Sequence, residues 1–158
     1  MEDEYFLGSG YKGSKQFTQH DVPTANATGF GAAADDYMER GIDLNEQLIM
    51  NKPATFFFRM NGDAMTGVGM QRGDVLIVDR SLKAGDGKII VAVVDGELMV
   101  RRYTQTMNRV LLLPENEKFK AVEVGEFMNY QCWGVVTCTI HILDTALLAF
   151  LNNSKKKL

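Results

Sequence analysis

The sequence has little cysteine and little proline, with two and three residues of these types in 158. Cys132 and Cys138 fit a reducing compartment as free thiols. Their spacing of six positions puts both on one face of a strand, too far apart to bond to each other. Only His141 lies near them, so a metal site lacks ligands. We therefore expect no disulfide, no bound metal and no cofactor.

The sequence also lacks a long apolar run and a basic stripe. The longest apolar run, at residues 146–151, is far shorter than the ~20 residues of a membrane helix. Acidic residues follow Met1, where a secretory signal is basic and then apolar. The net charge is −3, and three lysines at residues 155–157 form the one basic run, whereas nucleic-acid-binding domains carry a basic patch. We expect a soluble, cytoplasmic protein without membrane contact or direct sequence-specific DNA binding.

Composition divides the chain into three parts. Residues 1–31 are rich in glycine and small polar residues without a sustained hydrophobic period, which predicts a flexible N-terminal arm. Residues 32–145 form the predicted domain, and residues 146–158 a C-terminal helix with a basic tail. Within residues 35–50 an apolar pattern follows Asp35 and Asp36, and Gly41 favours two short helical turns over one long helix.

From residue 54 onward the sequence predicts mainly β-structure. Aromatic and branched apolar segments predict seven strands at residues 55–60, 74–79, 88–94, 97–103, 110–113, 120–124 and 130–143. Asp95-Gly96 is a strong signal for a two-residue hairpin. Residues 61–73 predict a turn with one short helix, and residues 144–151 predict a terminal helix. The last strand is long enough to pair with a partner molecule.

Three motifs in order resemble a known family. Residues 60–65 read Met-Asn-Gly-Asp-Ala-Met, residues 73–79 read Gly-Asp followed by an apolar strand that ends in Asp, and residues 99–101 read Met-Val-Arg after a hairpin. In order and spacing these segments resemble the peptidase domain of LexA and UmuD, whose motifs are Gly-Asp-Ser-Met, Gly-Asp with an apolar strand, and Val-Lys. Residues 111–116 and 133–136 resemble its later strands.

The resemblance covers residues 28–143 and implies strongly bent antiparallel sheets with a flexible N-terminal arm and short helices. Residues 28–30, 36–37 and 42–45 resemble UmuD in particular. The 28 residues before Gly29 are too few for the helix-turn-helix domain of a LexA-type repressor. Signal peptidases share the chemistry but need a membrane anchor. The resemblance therefore points to the UmuD branch.

The family's catalytic pair is missing from this sequence. In the family, the serine of Gly-Asp-Ser-Met attacks a peptide bond in the protein's own arm, and a desolvated, neutral lysine takes its proton. The resemblance puts Ala64 at the nucleophile position and Arg101 at the general-base position. Alanine has no attacking lone pair and arginine stays protonated, so we expect no autoproteolysis. Gly62, Asp63 and Met65 are expected to line the cleft.

The matching cleavage site is Thr28–Gly29, in a small and flexible stretch at residues 25–31. Glycine allows the close backbone approach that a cleft requires. The alternative interpretation of this stretch is an ordinary linker.

Two explanations of the missing pair remain open. Ala64 is the minimal knockout of a nucleophile, as in an engineered trap, whereas the second change at Arg101 favours a natural pseudo-enzyme. A rival active peptidase would use Ser81 and Lys83, which lie two positions apart in a turn without an evident oxyanion site.

The resemblance implies partners in the SOS response to DNA damage. It implies a homodimer that binds a Y-family translesion polymerase subunit, with self-cleavage promoted by the RecA–single-stranded DNA filament. A chain that cannot be cut stays full-length, so we expect it to restrain error-prone synthesis or to dock the polymerase without releasing it. The alternative is a non-catalytic dimerisation module or decoy for an active UmuD-type paralogue.

Overall fold

The computed structural model describes residues 5–6, 17–18 and 41–154, and side chains within residues 43–153. The strands are β1 (Tyr5–Phe6), β2 (Phe17–Thr18), β3 (Gly41–Ile42), β4 (Thr55–Arg59), β5 (Val75–Asp79), β6 (Ile89–Val94), β7 (Glu97–Thr106), β8 (Arg109–Leu113), β9 (Val122–Val124) and β10 (Tyr130–Ile140). The helices are α1 (Leu44–Leu48) and α2 (Thr145–Ser154), with 3-10 turns at Lys52–Ala54 and Thr66–Val68.

The described elements fall into two units. The smaller one contains β2, β3 and α1. β2 pairs antiparallel with β3, and the Asp43 carboxylate caps α1 by accepting a hydrogen bond from the Asn45 N–H at 2.9 Å. Of the two short helical turns expected within residues 35–50, one is confirmed as α1, whereas Gly41 and Ile42 lie in β3. Residues 35–40 lie outside the described residues.

The larger unit is an antiparallel sheet with strand order β1-β4-β5-β10-β6-β7-β8-β9. The mainly β fold expected from the sequence is confirmed. The predicted hairpin at Asp95-Gly96 is also confirmed: φ is 49° at Asp95 and 86° at Gly96, the left-handed pair that a tight β6–β7 turn requires.

At β6 the sheet is buried on both faces. Side chains alternate along a strand, so Val91 points to one face while Ile90 and Ala92 point to the other. Val91 joins a core with Phe58, Met60, Met65, Met70, Leu76, Val78 and Val100. Ile90 and Ala92 join a second core with Val94, Tyr103, Leu112 and Val135. Full burial of a valine, leucine, isoleucine, phenylalanine or methionine side chain contributes about 1.5–3 kcal/mol to the free energy of folding.

β10 connects the two halves of the sheet. Its first half pairs with β6 from Tyr130 to Val135, and its second half pairs with β5 from Val135 to Ile140. The pairing register shifts between Cys132 and Gly134 and again between Val136 and Cys138. The long strand predicted at this position is therefore used largely within the chain. In the part of the chain that is described, the second half has a ladder partner on one edge only.

Gly134 allows β10 to pass close to β5. A methyl group at this position would lie 2.7 Å from Cγ1 of Val78 and 3.3 Å from the carbonyl oxygen of Asp79. We predict that Gly134→Ala lowers the free energy of unfolding by about 1–3 kcal/mol, because the added atom overpacks the core. Gly125→Ala, which meets nothing within 4 Å, is the control. Equal denaturation midpoints of the two variants would refute this packing account.

Tyr130 lies against the second core and gives a prediction at alkaline pH. Burial raises the pKa of its phenol from 10.0 to about 12, with smaller contributions from Cys132 and Tyr103. The folded state therefore holds the phenol proton more tightly than the unfolded state. The resulting stability is complete below pH ~10 and is lost as pH rises towards ~12.

Tyr130→Phe should therefore flatten the fall in stability over this pH range. The buried hydroxyl has no hydrogen-bond partner among the described groups, so the substitution preserves packing. Urea unfolding of parent and variant on both sides of pH ~10 measures the effect. Parallel pH profiles would contradict it.

Candidate functional site

Ala64 lies in the loop between β4 and β5. Ala64 and Met65 are both fully buried, and Met65 belongs to the first hydrophobic core. The 3-10 turn Thr66–Val68 follows directly, which confirms the short helix predicted within residues 61–73. The core therefore holds in place the loop that carries Ala64, the residue predicted at the nucleophile position.

Three hydrogen bonds clamp this loop to residues 115 and 116. The Glu115 N–H donates to the Ala64 carbonyl at 2.8 Å, and the Gly67 N–H donates to the Glu115 carbonyl at 2.7 Å. The Asn116 side-chain amide donates to the Asp63 carbonyl at 2.7 Å. A methyl group at Gly67 would lie 2.5 Å from the Glu115 carbonyl oxygen, so the close approach requires glycine.

Arg102 braces the clamp from β7. Its Nε donates to the Glu115 carboxylate, and its Nη1 donates to the Gly87 carbonyl at 2.6 Å. The side chains of Arg102 and Glu115 are each 30% exposed, so solvent screens this ion pair less than a fully exposed one. One arginine therefore links β7, the turn before β6 and the residue that holds Ala64.

Arg101, the residue predicted at the general-base position, is buried. Its Nη1 donates to the Val100 carbonyl at 2.7 Å, and its guanidinium carbon lies 6.0 Å from the centre of the Phe119 ring, at cation–π distance. The Phe119 N–H in turn donates to the Asn116 carbonyl at 3.1 Å. The Ala64 loop and Arg101 thus both interact with the segment at residues 115–119.

Gly62 and Asp63 are the other two residues that were predicted to line the cleft. Gly62 is buried. The Asp63 carboxylate pairs with Arg72 at 3.2 Å, with about half of each side chain exposed, so this ion pair contributes at most about 1 kcal/mol. The segment after β8 also lines an open depression of about 410 Å³, formed by Pro114, Glu115, Asn116, Glu117, Phe119 and Ala121.

The rival pair Ser81 and Lys83 has a structural role. The Ser81 hydroxyl and N–H both donate to the Asp79 carboxylate, at 2.6 and 2.7 Å. The carbonyl of Lys83 accepts a hydrogen bond from the Lys88 ammonium at 3.3 Å. These contacts shape the turn after β5. Thr28 and Gly29, the predicted cleavage site, lie outside the described residues.

Sequence reasoning missed the roles of Glu115, Asn116 and Arg102. Residues 111–116 indicated the family, but nothing in their spacing showed that they would hold the Ala64 loop. The contact between His141 and Asp74 was also found only in the structure: Nδ1 of His141 lies 2.5 Å from Oδ1 of Asp74, whose side chain is 1% exposed.

Across residues 41–154, no group of three potential ligands is arranged to hold a metal. No described helix is long and apolar enough to cross a membrane.

The clamp predicts a local change in hydrogen exchange. Arg102→Ala removes the brace on Glu115, so we expect faster exchange at the Gly67 and Glu115 amides, measured by NMR. Arg109→Ala is the control, because its pair with Glu123 is largely exposed. A uniform increase across all strands in Arg102→Ala, or none at these two amides, would contradict the local role.

Comparison with known proteins shows which family the chain is similar to. The Peptidase S24-like family model matches residues 22–137. The chain is 41% identical to Protein SamA of Salmonella typhimurium over 113 residues, which are 72% of this chain and 78% of that protein. It is 35% identical to Protein MucA of Escherichia coli over 112 residues, 70% and 76% of the two chains.

A LexA repressor from Hahella chejuensis shares 37% identity over 99 residues, but these are 63% of this chain and 49% of that repressor. Similarity to the SamA and MucA proteins thus extends over a larger part of both chains. The chain belongs to the Peptidase S24-like family, as a UmuD-like member of its LexA/UmuD group.

Proposed function

We propose that this chain is a full-length UmuD-like manager of an error-prone Y-family translesion polymerase that does not cut itself. The observation that carries the proposal is the combination of Ala64 and Arg101 within an otherwise retained site. Family membership supports a role in SOS mutagenesis. The identities of the two side chains support the loss of cleavage, and a cytoplasmic location is part of the same proposal.

The family reaction needs a nucleophilic oxygen and a neutral base, and Ala64 and Arg101 provide neither. The methyl group of Ala64 provides no oxygen to form an acyl-enzyme. Arg101 stays protonated, so it accepts no proton from a nucleophile. In a serine peptidase, loss of either the nucleophile or the base lowers turnover by about 10⁶, and losing both costs little more. The clamp on the Ala64 loop supports the view that the loop kept its conformation after cleavage was lost.

The surroundings of Arg101 support a natural loss of cleavage over an engineered trap. Its guanidinium donates to Val100 and lies over Phe119, so the site accommodates a larger and permanently charged side chain. A knockout requires only Ala64. The second change is expected in a chain whose function no longer depends on a neutral lysine.

The proposed assembly is a homodimer that engages the polymerase subunit and the RecA–single-stranded DNA filament. The second half of β10 supports dimerisation, since among the described strands only β5 pairs with it. Ile140 is 40% exposed and Leu143, just beyond the strand, is 84% exposed. An apolar strand end with an open edge suits pairing with a second chain.

A second candidate function uses the same surface without the polymerase. In that reading the chain is a dimerisation module or decoy that pairs with an active UmuD-type paralogue. The open edge of β10 favours it equally. Co-expression of the chain with a cleavable paralogue, followed by native mass spectrometry, discriminates the two: a dominant heterodimer favours the decoy.

Restoring both side chains tests the proposed loss of cleavage. We expect Ala64→Ser with Arg101→Lys to cut itself between Thr28 and Gly29, faster at alkaline pH because the lysine must be neutral. Intact-mass spectrometry of the purified variant, with and without RecA filament, measures the product. The parent chain should remain uncut under every condition.

Two matched variants control this experiment. Ala64→Ser with Arg109→Lys carries the same composition with the lysine at an exposed position on β8, so it should remain intact. Ser81→Ala added to the double revertant should leave cleavage unchanged. Cleavage of the parent, or a folded double revertant that never cuts, would overturn the assignment of the catalytic positions.

A further inference from the structure

Arg80, at the end of β5, is a surface arginine held in one place by four contacts. Its guanidinium carbon lies 4.4 Å from the centre of the Trp133 ring and 6.0 Å from that of Phe56. Its Nε donates to the Trp133 carbonyl at 3.2 Å, and its backbone N–H donates to the Ala54 carbonyl at 2.8 Å. Surface arginines usually lose side-chain entropy when they bind, and here the restraint exists already.

The β10 backbone makes room for this side chain. A methyl group at Gly134 would lie 3.4 Å from Cγ of Arg80, so the stem of the arginine lies across the glycine. Trp133 is fixed in turn by Phe56 and Phe58, whose rings meet it edge-to-face at 5.2 and 4.8 Å. The tryptophan thus forms a rigid floor beneath the guanidinium.

The terminal nitrogens of Arg80 remain for an external group. Within residues 43–153, no carboxylate forms an ion pair with Arg80. The nearest acid along the chain, Asp79, is 3% exposed and accepts two hydrogen bonds from Ser81. A planar guanidinium with its two Nη groups available matches a carboxylate in bidentate geometry.

The chain segment that begins at Arg80 carries more positive than negative charge, although the net charge of the chain is −3. Lys83 and Lys88 follow it in the same exposed segment. The one acid of that segment, Asp86, already accepts a hydrogen bond from the Gln105 N–H at 3.0 Å. Local charge therefore attracts an anionic partner to this surface.

We propose that Arg80 and Trp133 form a docking point for an acidic segment of a protein partner. Tryptophan and arginine are the residue types that dominate binding energy at protein interfaces. Single-stranded nucleic acid fits less well, because it needs an open aromatic face for base stacking. Here Arg80 covers the face of Trp133, and the two phenylalanines pack against its ring.

The same tryptophan provides the measurement, because it is the only one in the chain. Titration of the full chain with an octaglutamate peptide at low salt should give a saturable change in Trp133 emission, with calorimetry as an independent readout. Arg80→Gln should weaken binding by about tenfold or more, and Arg80→Lys by less, because the charge remains but the bidentate geometry is lost.

Arg109→Gln changes the net charge equally at another exposed arginine and should bind the peptide as the parent does. Melting temperatures of all variants separate binding from folding. Equal affinity of the parent and Arg80→Gln would overturn the proposal and leave Arg80 with a stabilising role only. Preference for an octathymidylate over the peptide, lost in Arg80→Gln, would overturn it in favour of nucleic acid.

Discussion

The short backbone contact between the Ala64 loop and Glu115 fixes the geometry of the whole candidate site. Two main-chain hydrogen bonds run in opposite directions across it, and the Asn116 amide adds a third one residue away. Main-chain donors and acceptors do not depend on side-chain chemistry. The proposed function requires this property, because the loop then keeps its shape whatever side chains occupy positions 64 and 101.

The same contact constrains the residues around it. Glycine at position 67 is required because any side chain there would collide with the Glu115 carbonyl. Arg102, bonded to Glu115, holds the segment against β7. Two adjacent arginines on one strand thus have different surroundings: Arg102 supports the clamp, and Arg101, which we propose lies at the general-base position, is buried and lies over Phe119.

Much of the fold could be predicted from the sequence, because local patterns determined it. Seven predicted strands correspond to β4–β10, and the Asp95-Gly96 turn follows from the left-handed backbone that glycine tolerates. The assignment of Ala64 and Arg101 to the catalytic positions rests on motif order and stays a prediction. Contacts between distant segments left no such pattern: the carboxylate of Glu115, the packing of Trp133 beneath Arg80 and the Asp74–His141 contact all depend on tertiary structure.

The proposed function requires that the framework of the site is intact and that only the side chains of Ala64 and Arg101 prevent the reaction. A crystal structure of the Ala64→Ser, Arg101→Lys variant would measure the distance between the introduced serine Oγ and lysine Nζ. We expect about 3 Å, within hydrogen-bond reach, with the Glu115 clamp unchanged. A lysine that points away from the serine, with the clamp still formed, would refute the proposed catalytic positions.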